Sequence, residues 1–245
     1  LQDIQIVIRN AQNTPPELQA PERLCIQAGD SVLFNVTAID RDTPTQIVTL
    51  TATSGLFQLA SSPATFASVT GNPAVSAFRW LSDCSHVQQL PYVVVFKARD
   101  TYFTNGGNTD ASLATFKVVQ IKVVAPPPKN LQATVSGGRV TLTWNAPYAC
   151  AGSPNFFGFS VWRKAVCDPF TPDSCETGLD GRGYTRINPT LITTATGISY
   201  TFVDNDVTAG GIYSYRILAE LGTPVYNNGQ IVNYHSPVSS VPSNE

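Results

Sequence analysis

The sequence predicts an all-β protein, organised as two tandem antiparallel β-sandwiches. Three observations predict it. Apolar residues recur at every second position in short runs, as they do along half-buried strands. Clusters of Gly, Pro, Asn and Asp separate those runs. Charged residues make up only 13% of the 245-residue chain, about half the usual ~25%, which disfavours long helices with a wet face of Glu, Lys and Arg. No stretch keeps a helical period over about eleven residues. The length accommodates two sandwiches of ~100 residues each.

The elements follow in order. Ile4-Gln5-Ile6-Val7-Ile8 alternates and is read, within residues 1–10, as the last strand of a preceding module or as an edge strand. Asn13-Thr14-Pro15-Pro16 breaks it. Within 11–125 the strand signals are Ser31–Ile39, Ile47–Ala52, Phe78–Trp80, Tyr92–Ala98 and Ala114–Val124. Residues 126–130 form a proline-rich linker, because three consecutive prolines donate no ladder hydrogen bonds and prefer an extended path. Within 131–245 the signals are Leu131–Val135, Thr141–Trp144, Phe157–Lys164, Tyr200–Asp204 and Ile212–Leu218. Gly137-Gly138 suits a two-residue hairpin turn, and Asn227-Asn228-Gly229 turns the chain back toward Val232 and Tyr234. Leu-Gln-Ala triplets at 18 and 131 start 113 residues apart (131 less 18), which suggests one sandwich per period of a linear array.

Composition excludes several classes. The net charge is −2 and the pI about 5.7, without the basic excess that nucleic-acid binding needs. No apolar run approaches the ~20 residues that span a bilayer. Met is absent, so Leu1 is expected to open a mature chain or an excised fragment.

Leu131…Leu142-Thr143-Trp144, Gly158-Phe159-Ser160-Val161-Trp162-Arg163 and Gly211-Ile212-Tyr213-Ser214-Tyr215-Arg216-Ile217 together resemble a fibronectin type III domain. The resemblance implies that Trp144 packs the core and that Tyr213 forms a tyrosine corner, its hydroxyl bonding back to the chain. The insert Cys167–Gly178 departs from the short animal version. With Cys175-Glu176-Thr177-Gly178 and the following Gly183-Tyr184, it resembles modules of large surface and gliding-motility-associated, type IX-secreted proteins of Bacteroidota. Ala38-Ile39-Asp40-Arg41-Asp42 and Phe96-Lys97-Ala98-Arg99-Asp100 resemble the Ig- or cadherin-like module that often precedes such a domain. That resemblance implies an extracellular or cell-surface setting.

Asp40 and Asp42 resemble an Asp-x-Asp calcium site. Calcium takes about six to eight oxygen ligands, and Asp100 and Asn13 would complete the set at one end of the sandwich. The competing reading is ordinary Asp in turns, capping backbone amides. Cys25 and Cys84, the only cysteines of the first predicted domain, are disulfide candidates for each other; the competing reading is two buried thiols. Cys175 pairs with Cys167 or with Cys150, and the odd count leaves one cysteine over. A secreted setting favours the bonds.

No nucleophile system is legible, and no enzyme is predicted. His86 and His235 lie in different predicted domains, and His86 reads as a surface residue. No Gly-x-Ser-x-Gly, His-Glu-x-x-His or P-loop is present. Asn35-Val36-Thr37 fits a glycosylation sequon but lies mid-strand. Tyr102, Phe103, Phe156, Phe157 and Tyr226 are binding candidates, since loop aromatics stack on sugars or anchor protein contacts; the competing reading is core packing.

The expected function is a non-catalytic structural or adhesive module of a larger bacterial surface or secreted protein. Its expected partners are other domains of the same polypeptide, a protein or glycan at the cell surface, and further copies of itself. The alternatives are a carbohydrate-binding accessory region of a secreted hydrolase and a calcium-rigidified stalk. No other cofactor is expected.

Overall fold

The structure is a computed structural model that describes residues 13–42, 45–104, 107 and 109–244; the alternating run at residues 4–8 lies outside them. Among the described residues its elements are β-strands, with short 3-10 turns at Gly55–Gln58 and Cys84–His86. Two compact units divide it. The first takes in Ser31–Trp80 and Tyr92–Gln120 with the chain up to Leu24; the second takes in Cys25–Asp30, Leu81–Pro91 and Ile121–Glu245.

Among the described residues, the strands before the triple proline are β1 (Glu17–Gln19), β2 (Arg23–Gln27), β3 (Ser31–Ile39), β4 (Val48–Thr53), β5 (Val69–Gly71), β6 (Ala74–Leu81), β7 (Tyr92–Arg99), β8 (Phe103–Thr104), β9 (Thr109–Asp110) and β10 (Ala114–Val124). One sheet runs β1-β3-β6 and another β2-β10-β7-β4-β5, with β8 and β9 as a separate hairpin. The first unit's core follows from period two. On β7, Val94, Phe96 and Ala98 are fully buried, while Val93 and Arg99 between and beyond them are exposed. The antiparallel register sets Phe96 opposite Ala52 and Ala98 opposite Leu50. Phe78 lies 5.1 Å from Phe34 and 6.2 Å, edge on, from Phe96, and Phe66 approaches Phe96 at 5.1 Å. Such offset and edge-to-face pairs add to the burial energy.

Seven strands follow: β11 (Gln132–Ser136), β12 (Arg139–Asn145), β13 (Phe156–Lys164), β14 (Thr185–Arg186), β15 (Ser199–Asp204), β16 (Ser214–Asn227) and β17 (Gln230–Ser239). They form a sheet β11-β12-β15 and a sheet β14-β13-β16-β17. Trp144 is almost fully buried, stacked on Tyr200 at 5.9 Å and edge on to Phe159 at 5.4 Å. β13 bulges between Phe156 and Gly158. Gly158 has φ +136°, and a Cβ there would lie 2.7 Å from Leu191 Cβ, so only glycine fits.

The segment with three prolines is packed, not free. Pro126 and Pro128 are buried, and the Tyr148 hydroxyl donates to the Pro126 carbonyl at 2.7 Å. Burial pushes that phenol's pKa far up.

The cysteines pair differently from the expectation. Cys25 bonds Cys175 and Cys84 bonds Cys150, with Cα–Cα distances of 6.2 and 5.5 Å, both within the range a disulfide spans. Cys25 is therefore not paired with Cys84, and Cys175 is paired with neither Cys167 nor Cys150. The physical reason is placement: Cys25 and Cys84 lie in the two stretches, Cys25–Asp30 and Leu81–Pro91, that pack with the second unit. Cys167 is left unbonded and exposed.

The insert folds over the outer face of the four-stranded sheet. Leu179, Tyr184 and Leu218 form a small core there with Trp162 and Phe170. The Phe170 ring lies between the guanidinium groups of Arg182 at 3.9 Å and Arg216 at 4.5 Å, and Arg216 donates to the Phe170 and Ser243 carbonyls at 2.6 Å each. A buried arginine is tolerable because its charge meets carbonyls and a ring face.

Peptide mapping without reductant is expected to recover Cys25–Cys175 and Cys84–Cys150 linked peptides, with Cys167 alone alkylated. The double substitution Cys84→Ser/Cys150→Ser is expected to lower unfolding stability by about 2–5 kcal/mol, read from the denaturant midpoint. A Cys25–Cys84 linked peptide would overturn the pairing.

Candidate functional site

Five strand ends meet at one end of the first sandwich and bring polar side chains together. Asp40 follows β3, Gln46 precedes β4, Asn72 joins β5 to β6, Asp100 follows β7, and Asn13 precedes β1. Strand ends leave backbone groups without ladder partners, and these side chains satisfy them. Asn72 accepts from the Asp40 N–H at 3.1 Å and donates to the Asp40 and Gln46 carbonyls at 2.8 and 3.0 Å. The Asp42 N–H donates to Asp40 Oδ1 at 2.9 Å, an Asx-type turn. Asp42 in turn accepts from the Thr14 N–H at 2.7 Å and the Thr14 hydroxyl at 2.8 Å. Asp100 Oδ1 accepts the Leu113 N–H at 2.8 Å, and Asp100 Oδ2 accepts Asn13 Nδ2 at 3.2 Å. Gln46 Nε2 donates to Asn13 Oδ1 at 2.8 Å.

The four residues expected to hold calcium are therefore in one network. Its electrostatics are unbalanced. Asp100 is fully buried and Asp40 is 6% exposed. Burial raises the Asp100 pKa above the usual carboxylate value, and the Asp40 charge acts the same way; the Leu113 N–H, the Asn13 amide and the Arg99 guanidinium oppose them. Arg41 makes a two-pronged pair with Glu17 at 2.9 and 3.1 Å, and Arg99 pairs with Asp110. Asp40 Oδ2 and Gln46 Oε1 are buried and lack a hydrogen-bond partner among the described residues. Among those residues no three His, Cys, Asp or Glu side chains group closely enough to hold a metal ion, and Asp42 is turned onto Thr14.

Gln46, Asn72 and Thr14 were not legible as members of this site. Neutral amides and hydroxyls carry no spacing signature, and their partners lie 26 to 33 residues away. The only available signal was negative: Gln46 and Asn72 are polar residues bordering strands, where side chains cap the backbone.

The aromatic candidates separate. Phe103 and Tyr226 are 54% and 55% exposed. Tyr102 is half-buried, and its N–H donates to Ser112 Oγ at 3.1 Å. Phe156 packs inward, 5.0 Å from Phe159, and Phe157 stacks on Tyr234 at 4.4 Å. His86 is buried rather than at the surface. Asp83 and His86 form a reciprocal cap on the short 3-10 turn, the Asp83 N–H donating to His86 Nδ1 at 2.9 Å. The Tyr213 hydroxyl accepts the Thr208 N–H at 3.0 Å, which lowers its pKa. A Cβ on Gly211 would meet the Tyr213 ring at 2.7 Å.

No protein-family model and no curated protein sequence matches the chain. Several solved structures are similar to it at low identity. The SrpA adhesin from Streptococcus sanguinis is 14% identical, with a TM-score of 0.31, over 58% of this chain and 90% of that one. The E. coli chaperone DraB is 12% identical, with a TM-score of 0.32, over 96% and 99%. The DIP-gamma IG1+IG2 structure is 10% identical, with a TM-score of 0.27, over 94% and 96%. At such scores the all-β reading rests on the strand order of this chain.

Asp100→Ala is expected to cost about 1–3 kcal/mol, because it empties a buried position and leaves the Leu113 N–H and the Asn13 amide without their acceptor. Thr14→Val, at an exposed hydroxyl, is expected to cost less. Equal losses in chemical denaturation would contradict the network described.

Proposed function

We propose that the chain is a non-catalytic extracellular module of a larger bacterial surface or secreted protein, serving as spacer and protein-interaction surface. In this reading an Ig- or cadherin-like sandwich spans 11–125, a linker 126–130 and a fibronectin type III sandwich 131–245. The three-plus-four strand arrangement of β11–β17 and the Tyr213–Thr208 bond support the second assignment. The observation that carries the reading is the pair of disulfides, which persist in oxidising surroundings. Among the described residues no helix is long and apolar enough to cross a membrane.

The mechanism is geometric. Paired strands, two buried cores and long-range crosslinks hold exposed loops in fixed positions, so that a partner meets a surface already ordered. Phe103 on β8, Phe116 on β10 and Tyr226 on the β16–β17 hairpin are exposed aromatics that such a surface presents.

A calcium-rigidified stalk is a second reading, favoured by one observation: the orphaned, buried Asp40 Oδ2 and Gln46 Oε1. A hard cation satisfies such oxygens. Asp40, Asp100 and Asn13 would hold it, and its charge would offset the two buried carboxylates. Asp42 would first have to leave Thr14.

Two measurements test these readings. The spacer reading expects the oxidised chain to resist trypsin, to lose that resistance in dithiothreitol, and to retain no sugar on a glycan array. Saturable glycan binding that Phe103→Ala or Tyr226→Ala removes would replace it with the carbohydrate-binding accessory role. The calcium reading expects a higher Tm in calcium than in EGTA; equal melting curves would remove it.

A further inference from the structure

The two crosslinks are nested: Cys84–Cys150 lies wholly inside the span of Cys25–Cys175. A pull on the two ends of a chain travels along the shortest covalent route. Here that route enters through residues 1–25, crosses the Cys25–Cys175 sulfurs, and leaves through 175–245. Strands β3 to β13 fall between the two cysteines and lie off the route. Only β1, the start of β2, and β14 to β17 remain on it.

We infer that the Cys25–Cys175 bond is a tension shunt, which excludes strands β3 to β13, most of the first sandwich and part of the second, from any force applied through the chain ends. Non-covalent sandwiches open when their terminal strands are drawn out, because each ladder hydrogen bond is individually weak. Here β1, β16 and β17 can still be drawn out, but the covalent bridge stops that opening at Cys25 and Cys175, so β3 to β13 carry no load. The inner bond acts as a second stage. When the outer one is open, the route runs from Cys25 to Cys84, crosses to Cys150, and still leaves residues 85–149 slack.

The exposed polymer length follows from the two separations. With both bonds closed, the 96 residues 1–25 and 175–245 can be drawn out, about 330 Å at ~3.4 Å each. Opening the outer bond adds 84 residues (150 less 66), about 290 Å. Opening the inner bond adds the last 65, residues 85–149, about 220 Å. The biological use of the shunt rests on the spacer reading above; the shunt itself does not.

The test is single-molecule stretching of the full chain, tethered through its two ends. The oxidised chain is expected to reach about 330 Å when fully drawn out, and dithiothreitol is expected to add steps of about 290 and 220 Å. Cys25→Ser/Cys175→Ser is expected to reach the 290 Å longer state without reductant. The wild-type comparison with and without dithiothreitol stands even if that variant does not fold. An oxidised wild-type chain that extends to the full length of 245 residues, or reductant that adds no length, would overturn the shunt. Proteolysis and glycan binding, which test the spacer reading, are independent of either result.

Discussion

A strand that buries every second side chain has one dry face, and that face requires a cover. This constraint organises the molecule. Val94, Phe96 and Ala98 on β7 and Leu142 and Trp144 on β12 are buried because each dry face meets another sheet. Rings fill the widest gaps: Phe34, Phe78 and Phe96 in the first unit, Trp144, Phe159 and Tyr200 in the second. Once the faces are covered, the strand ends are what remain to be satisfied. Asp40, Asp42, Asp100, Asn72 and Asn13 do this for the first sandwich, and the site is a product of that same need.

Legibility in the sequence tracked how local the cause was. The bounds of β3 and β10 match the alternating runs read from the sequence, because period two is a property of neighbouring residues. The two- and three-residue strands β5 and β14 were not readable; so short a pairing has no pattern of its own and depends on the strand beside it. Residues 212–213 were read as strand, yet β16 starts at Ser214, because the Tyr213 hydroxyl is drawn back to Thr208. The network at Asp40 was legible in its carboxylates and not in its amides. Cysteine connectivity was the least readable feature, since pairing by predicted domain assumed that Cys25 and Cys84 belong with the residues around them.

The insert shows how a Pro- and Asp-rich loop acquires a fixed shape. It lacks the alternating pattern of a strand, and its order comes from a few strong contacts: Phe170 between two guanidinium groups, Lys164 on Asp168 at 2.8 Å, the Gly178 N–H on the Ser240 carbonyl at 3.0 Å, and the Cys175 bond. The cover it gives the outer face, together with Leu179 and Tyr184, buries Leu218, which a bare sheet would expose to water.

The cysteine pattern also constrains biosynthesis. A chain that reaches an oxidant N-terminus first presents Cys25 and Cys84 together, while both native partners are still to come. The earliest bond chemistry allows is then the wrong one, and it must later be undone by thiol–disulfide exchange. Oxidation that waits until Cys150 has emerged gives Cys84 its native partner, and earlier oxidation leaves a product that an isomerase has to correct, so the yield of correctly bonded chain will follow which of the two an expression host supplies.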